Sequence, residues 1–364
     1  TVTNNNALNL SGGTLSKAVS GSGKTTITGN TTNSGGINQG VTVNSGVTLT
    51  NNAALGSDSG TITNSGTINT SASNIKGAVT NNNTVNLSGG TLSKAISGSG
   101  TTNITGIVSS NSAISQAISI ASAGDLTISA SNVGGNVTNA GDLILNGGTL
   151  TKAVTGAGTT SITGAVTANS AISQTISISS SGDLTANAGN IGGAVTNAGD
   201  LILTGGTLSK SVSGAGLTTI TGNTTNSAGI NQGVNVNSGV TLTNNAALGS
   251  DNGKITNAGT INTNANNIKG AVTNNNALNL SGGTLSKAVS GSGTTTISAN
   301  ATNNGGISQK VNVSSGVTLT NNAALGSDSG KITNAGTINT NASNIKGTVT
   351  NNNALNLSGG TLSK

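Results

Sequence analysis

The amino-acid sequence predicts an all-β fold, a single-stranded parallel β-helix (β-solenoid) of about 19 rungs, each roughly 17–22 residues long. Three observations predict it. The first is repetition. The string Gly-Gly-Thr-Leu-x-Lys occurs six times, and its lysines, Lys17, Lys94, Lys152, Lys210, Lys287 and Lys364, have numbers that differ in turn by 77, 58, 58, 77 and 77. The two spacings differ by 19, about a quarter of 77 and a third of 58, so a long unit reads as four turns and a short one as three. A turn of about 19 residues suits one coil of a solenoid, in which each coil buries its apolar face only against its neighbours. The second observation is short period-two alternation, and the third is a composition that leaves aliphatic side chains alone to fill the core.

The elements follow in chain order. Cutting at the recurrent Val/Ile-Thr-Asn start divides the first long unit into coils 2–18, 19–40, 41–61 and 62–78, and the second short unit into 137–153, 154–175 and 176–194. The chain then reads as one continuous solenoid, 1–364, with units 2–78, 79–136, 137–194, 195–271 and 272–348 and a partial unit 349–364. Within coils, patches such as Leu8-Asn-Leu10, Val41-Thr-Val43, Val47-Thr-Leu49 and Thr67-Ile-Asn69 alternate. Alternation sends one side chain inward and the next outward, so these patches are strands of three to five residues. Asn-Ser-Gly, Ser-Gly-Gly and Gly-Ser-Gly strings separate them, and Gly, with Asn to a lesser degree, accepts the positive φ of tight turns. Strands that recur once per coil pair in parallel with those above and below. At a strand spacing of about 4.8 Å, 19 coils make a rod about 90 Å long. The runs Asn4-Asn5-Asn6, Asn81-Asn82-Asn83 and Asn274-Asn275-Asn276 suit either side-chain ladders or solvated loops. The extra residues of the longer coils fall at 30–39 and 51–60, which predicts bulges from one side and therefore a plain face and a looped face.

Composition excludes much chemistry. Cys, His, Met, Pro, Phe, Tyr, Trp, Arg and Glu are all absent, which leaves 13 Lys and 7 Asp as the only charged side chains. Charged residues make up 5% of the chain, too few for an ordinary disordered segment, and its aliphatics recur at fixed places. A net charge of +6 spread over single lysines, with no aromatic to stack on a base, gives nucleic-acid binding no support. No apolar run approaches a membrane span. Thr1 opens no signal peptide, so an export signal is expected outside this segment.

No catalytic, cofactor-binding or metal-binding residue is assigned. Triads that use His or Cys are impossible here, zinc lacks its ligands, and the Gly-rich strings precede no helix that could cradle a phosphate. Gly-Asp-Leu recurs at Asp125, Asp142, Asp183 and Asp200, and in-register coils would bring Asp125 to Asp142 and Asp183 to Asp200. Such pairs read either as weak calcium or carboxylate-pair sites or as exposed carboxylates diverging into water; a hard cation wants six or more oxygens, which favours the second. Ser16-Lys17 and its copies read as solubilising charge that keeps sheet surfaces apart, because a Ser–Lys nucleophile needs a buried lysine.

The tandem Val-Thr-Asn-x-Gly/Asn turns, the Asn-Leu-Ser-Gly-Gly-Thr-Leu strings and the lack of aromatics resemble the β-strand repeat regions of bacterial autotransporter passengers. They are similar also to filamentous-haemagglutinin-like surface proteins, and the resemblance covers the whole chain. It implies a right-handed β-helix, export to the bacterial cell surface, and a role as an adhesin or stalk. The chain departs from many passengers in lacking any aromatic, and it carries no barrel domain.

Four functional readings follow. A non-enzymatic extracellular rod, stalk or fibre is favoured because unit-by-unit identity makes length matter more than any local site. Its partners would be itself or identical rods, end to end or in lateral bundles, and another cell surface. The second reading is an adhesin that binds a host, a neighbouring cell or a glycan along the rod's side; the lack of aromatics weakens it. Ice binding through outward threonines such as Thr25-Thr-Ile-Thr28 and Thr48-Leu-Thr50 needs a regular flat face, which uneven coils oppose. A polysaccharide lyase or hydrolase lacks the acidic, basic and aromatic residues of its chemistry. Neither end shows a polar cap, so a longer repetitive protein or end-to-end stacking is expected.

Overall fold

A computed structural model describes residues 1–363, and Lys364 lies outside the described residues. The chain forms two compact units, Thr1–Ser177 and the residues from Ile178 onward. Each is a parallel β-solenoid, and together they make about 21 turns.

In the first unit each coil lays down three strands or strand-like positions, one on each of three faces. The first face stacks Val2, Val19, Ile37, Leu55 and Ile75. The second stacks Leu8, Thr25, Val41, Ile62, Val79, Ile96, Ile114 and Val133. The third stacks Gly13, Thr31, Leu49, Ile68, Val85, Thr102, Ile118, Val137 and Val154. All of these pairings are parallel, because a chain that coils in one sense returns to each face running the same way. Coils differ in length: Thr25 lies beside Val41 in a short one, and Val41 beside Ile62 in a long one.

The expected whole-number coil count needs correction. Four turns from Val2 end at Ile75, and the next unit starts just beyond it at Val79, which sits on the second face. Three turns from Val79 end at Val133, and the following unit starts at Val137 on the third face. A long unit is thus four turns plus one face, and a short unit three turns plus one face. Coils are therefore shorter on average than the sequence spacing suggests, which raises the count from about 19 to about 21. Within the first compact unit, equivalent segments move to the next face with each repeat. The Gly-Thr-Leu strand Gly13–Leu15 lies on the third face, Gly90–Leu92 pairs into the first-face stack, and Gly148–Leu150 follows on the second.

The second unit repeats the rule. Val195, Val212, Ile230, Leu248 and Ile268 stack, and Val272 then begins in the neighbouring stack of Ile255, Val272, Val289, Ile307, Leu325 and Ile345. Val349 begins in the next one, in register with Ile332 and Val311.

Among the described residues the projecting tips do not share one face, so the expected plain and looped faces are not found. Residues 30–39 form no bulge: Thr31–Asn33 is a strand, Ile37 is fully buried in the first-face stack, and Gln39 is buried. In 51–60 only the tip projects, where Ser57 and Gly60 exchange backbone hydrogen bonds around exposed Asp58. The equivalent tips Ser250–Gly253 and Ser327–Gly330 follow Leu248 and Leu325, which belong to different stacks.

The core is a narrow column of Val, Ile and Leu, with inward side chains fully or almost fully buried. Threonine and asparagine also turn inward, at the corners. Asn64 is fully buried, and its Nδ2 donates to Gly66 O, Asn81 Oδ1 and Thr84 O while its Oδ1 accepts from Gly66 N. A buried polar group persists only when so paired. One buried glutamine per unit reaches a buried threonine, as Gln39 does Thr25 at 2.7 Å and Gln232 does Thr218 at 2.8 Å. The asparagine runs divide: Asn81 and Asn274 are buried ladder members, while Asn82, Asn83, Asn275 and Asn276 lie on exposed turns. Asparagine does not supply the positive φ expected of it. Among the described residues glycine alone adopts it, as at Gly89 (143°) and Gly90 (90°). Positive φ at both positions of each pair explains the recurrent Gly-Gly, and at Gly90 a Cβ would also lie 2.4 Å from Ser73 Oγ.

Candidate functional site

The most site-like feature recurs once per long unit. In the strands Thr48–Asn51, Thr67–Thr70 and Thr84–Leu87, alternation buries Leu49, Ile68 and Val85 and turns Thr50, Asn69 and Asn86 outward in register. The chain then leaves the face through a 3₁₀ turn, Ala72–Asn74, whose Ala72 is buried and whose Ser71 and Asn74 rise beside the row. The step between row and turn makes a groove of about 640 Å³ lined by Thr50, Asn52, Asn69, Asn74, Asn86 and Ser88 among others. Equivalent grooves of about 460 and 560 Å³ hold Asn262 and Asn279, and Asn339 and Asn356, each beside its own 3₁₀ turn, Ala265–Asn267 and Ala342–Asn344.

Carboxamides run along the groove floors as ladders. Asn86 Nδ2 donates to Asn69 Oδ1 at 2.6 Å, and Asn103 Nδ2 to Asn86 Oδ1 at 2.8 Å. Asn279 donates to Asn262 and Asn356 to Asn339, both at 2.8 Å. Short units carry no such row: Thr127, Ile144 and Ser161 occupy the register positions in one, and Thr185, Ile202 and Thr219 in the other. None of the groove-lining residues is charged.

The aspartate pairs stand in register as the sequence requires, Asp125 beside Asp142 and Asp183 beside Asp200, each at the first position of its strand. Asp125 is half-buried and the other three are exposed. Among the described residues, no three of His, Cys, Asp and Glu come together.

The repeated lysines are exposed or half-buried, so the buried lysine that a Ser–Lys nucleophile needs is not found among Lys17, Lys94, Lys152, Lys210 and Lys287. Two of them have a partner that the sequence pattern alone did not announce. Lys94 Nζ donates to Asp58 Oδ1 at 2.5 Å, and Lys287 to Asp251, each pair bridging two coils. The lysine's hydrogen bond and charge hold both carboxyls below the usual carboxylate range. Lys152 and Lys210 follow short units, which lack the acidic tip, and at the same interval before them stand Gln116 and Gln174. That constant Asp-to-Lys interval was the available signal. Thr25, offered as part of an ice-facing row, is fully buried, whereas Thr48 and Thr50 do face outward.

No protein-family model matches the chain, and neither a curated protein nor a solved structure resembles it at a significant level. Among the described residues no helix is long and apolar enough to cross a membrane.

Proposed function

We propose that the chain is a non-catalytic structural repeat, part of a rigid rod, stalk or fibre displayed outside a bacterial cell. The observation that carries this reading is that every unit performs the same structural work. Each brings the same aliphatic column, the same buried Gln–Thr pair and the same Gly-Gly corner, so that adding a unit of either kind extends the same core. The likeness of its strings to autotransporter passengers and filamentous-haemagglutinin-like proteins supports export and surface display. Self-association of identical rods fits the surface, which is rich in Thr and Asn and poor in charge. Immunogold electron microscopy of the source cells, with antibody raised against this chain, tests the reading. Label along surface filaments supports it; label confined to the cell interior refutes it. Adhesion along the side is the second reading, and the repeated uncharged groove favours it.

A further inference from the structure

The long-unit grooves hold hydrogen-bonding groups that the fold leaves unused. Among the described residues, the Nδ2 of Asn69, of Asn262 and of Asn339 donates to no partner, although the Oδ1 of each is engaged by the next asparagine in the row. At the other end of the two-membered ladders, Asn279 and Asn356 offer a carbonyl oxygen with no donor. Each two-membered ladder is thus polarised, with a free amide N–H pair at one end and a free amide oxygen one strand spacing away, about 5 Å. In the first groove Asn103 extends the ladder, and the gap becomes two spacings, about 10 Å. Asn52 and Asn74, with Ser88, add further amides and a hydroxyl to the walls.

We infer that each long-unit groove is a binding site for a neutral glycan chain and rests on the carboxamide ladder for recognition. The inference builds on the side-adhesion reading and is independent of the rod reading. A sugar hydroxyl both donates and accepts, and successive hydroxyls repeat at a few ångströms, which matches a surface that offers a donor and an acceptor at that separation. A floor two strand spacings long, about 10 Å, accommodates roughly two sugar rings. Lining without charge favours a neutral glycan over an anionic one, because a carboxylate or sulfate would give up its hydration without a cation to replace it. With no aromatic to stack on the ring, each site is weak. The one-face rotation adds a constraint. The grooves at Asn262–Asn279 and Asn339–Asn356 lie in different sheets of the second unit, so one straight glycan cannot lie in both. A long oligosaccharide should therefore bind no more tightly than one that fills a single groove.

The short units provide the control variant, since their outward Thr and Ile at these positions already fold in this solenoid. In the full chain, Asn69→Thr, Asn86→Ile, Asn262→Thr, Asn279→Ile, Asn339→Thr and Asn356→Ile would be combined. Cellohexaose, chitohexaose, maltohexaose and mannohexaose, with their trisaccharides, would be titrated by ligand-observed NMR beside a heparin hexasaccharide. The expected result is saturable binding of at least one neutral oligosaccharide, equal affinity for its trimer and hexamer, and a loss of tenfold or more in the variant. The inference is overturned if no neutral oligosaccharide saturates at ten millimolar, if heparin alone binds, or if the variant binds as well as the parent. Should the sixfold variant fail to fold, Asn279→Ile alone should remove about one third of the bound ligand at saturation, and an unchanged stoichiometry would overturn the inference. None of these failures bears on the filament seen or not seen by microscopy.

Discussion

Replacing Asn64 by alanine should open the solenoid locally while its exposed neighbour Asn82 tolerates the same change. Asn64 is fully buried: the two N–H groups of its Nδ2 are shared among Gly66 O, Asn81 Oδ1 and Thr84 O, and its Oδ1 accepts from Gly66 N. Gly66 is itself buried, and its N–H has no other acceptor. An intramolecular hydrogen bond is worth about 1 kcal/mol net, and a buried donor left unsatisfied costs about 1–3 kcal/mol. The acceptors retain partial satisfaction, since Gly66 O also receives Thr84 N. The loss should therefore be about 3 kcal/mol, or roughly a hundredfold in the local opening equilibrium at about 1.4 kcal/mol per decade. Solenoids need not unfold in one step, so the fitting assay is native-state hydrogen exchange of the full chain, read on peptides covering residues 60–90. Asn64→Ala should lose about two decades of protection there, and Asn82→Ala should lose almost none. Equal losses, or none for Asn64→Ala, would refute the view that inward asparagines hold the corners.

Two further outcomes are expected. The carboxyl of Asp58 should titrate below an ordinary aspartate in NMR and return to the usual range in Lys94→Gln. Because that pKa is depressed in the folded state, any stability it lends is present at neutral pH and lost as pH falls through the folded value. Full exposure and salt screening keep it small, so Asp58→Asn should leave the thermal midpoint almost unmoved. In the core, Thr218→Val strands the Nε2 of Gln232, whose Oε1 is already buried without a partner, and should cost about 1–3 kcal/mol by urea unfolding. Adding Gln232→Leu removes both orphans and should recover most of that loss.

The solenoid was legible in the sequence because its strands carry two-residue alternation and its units repeat almost unchanged. The three-faced coil was not. Ile37, Leu55 and Ile75 are single aliphatic residues that enter the core through isolated bridges, with no alternating neighbours to announce a strand. Two of them fell inside stretches read as loops, and cuts made only at Val-Thr-Asn starts then forced whole-number coils onto units that contain an extra face. The difference of 19 between the unit lengths does correspond to one turn, but dividing 77 by four misjudged the others. The direction of the asparagines was equally hidden, since inward Asn64 and outward Asn69 belong to near-identical Thr/Asn strings and only the strand phase separates them. The candidate grooves went unread for the same reason: an outward Asn–Asn row becomes visible only once register is known.

The central claim is that the coils of a repeat are out of phase with its Val-Thr-Asn starts, so that the repeat advances by whole turns plus one face, and disulfide trapping tests that phase directly in a chain that has no cysteine. The structure places Thr42 beside Thr26 in the adjacent coil, whereas a whole-number coil starting at Val19 and Val41 would place it beside Ser20. Parallel in-register neighbours fall within disulfide reach. Oxidation should close Thr26→Cys/Thr42→Cys rapidly and leave Ser20→Cys/Thr42→Cys open; closure of the second pair and not the first would contradict the account.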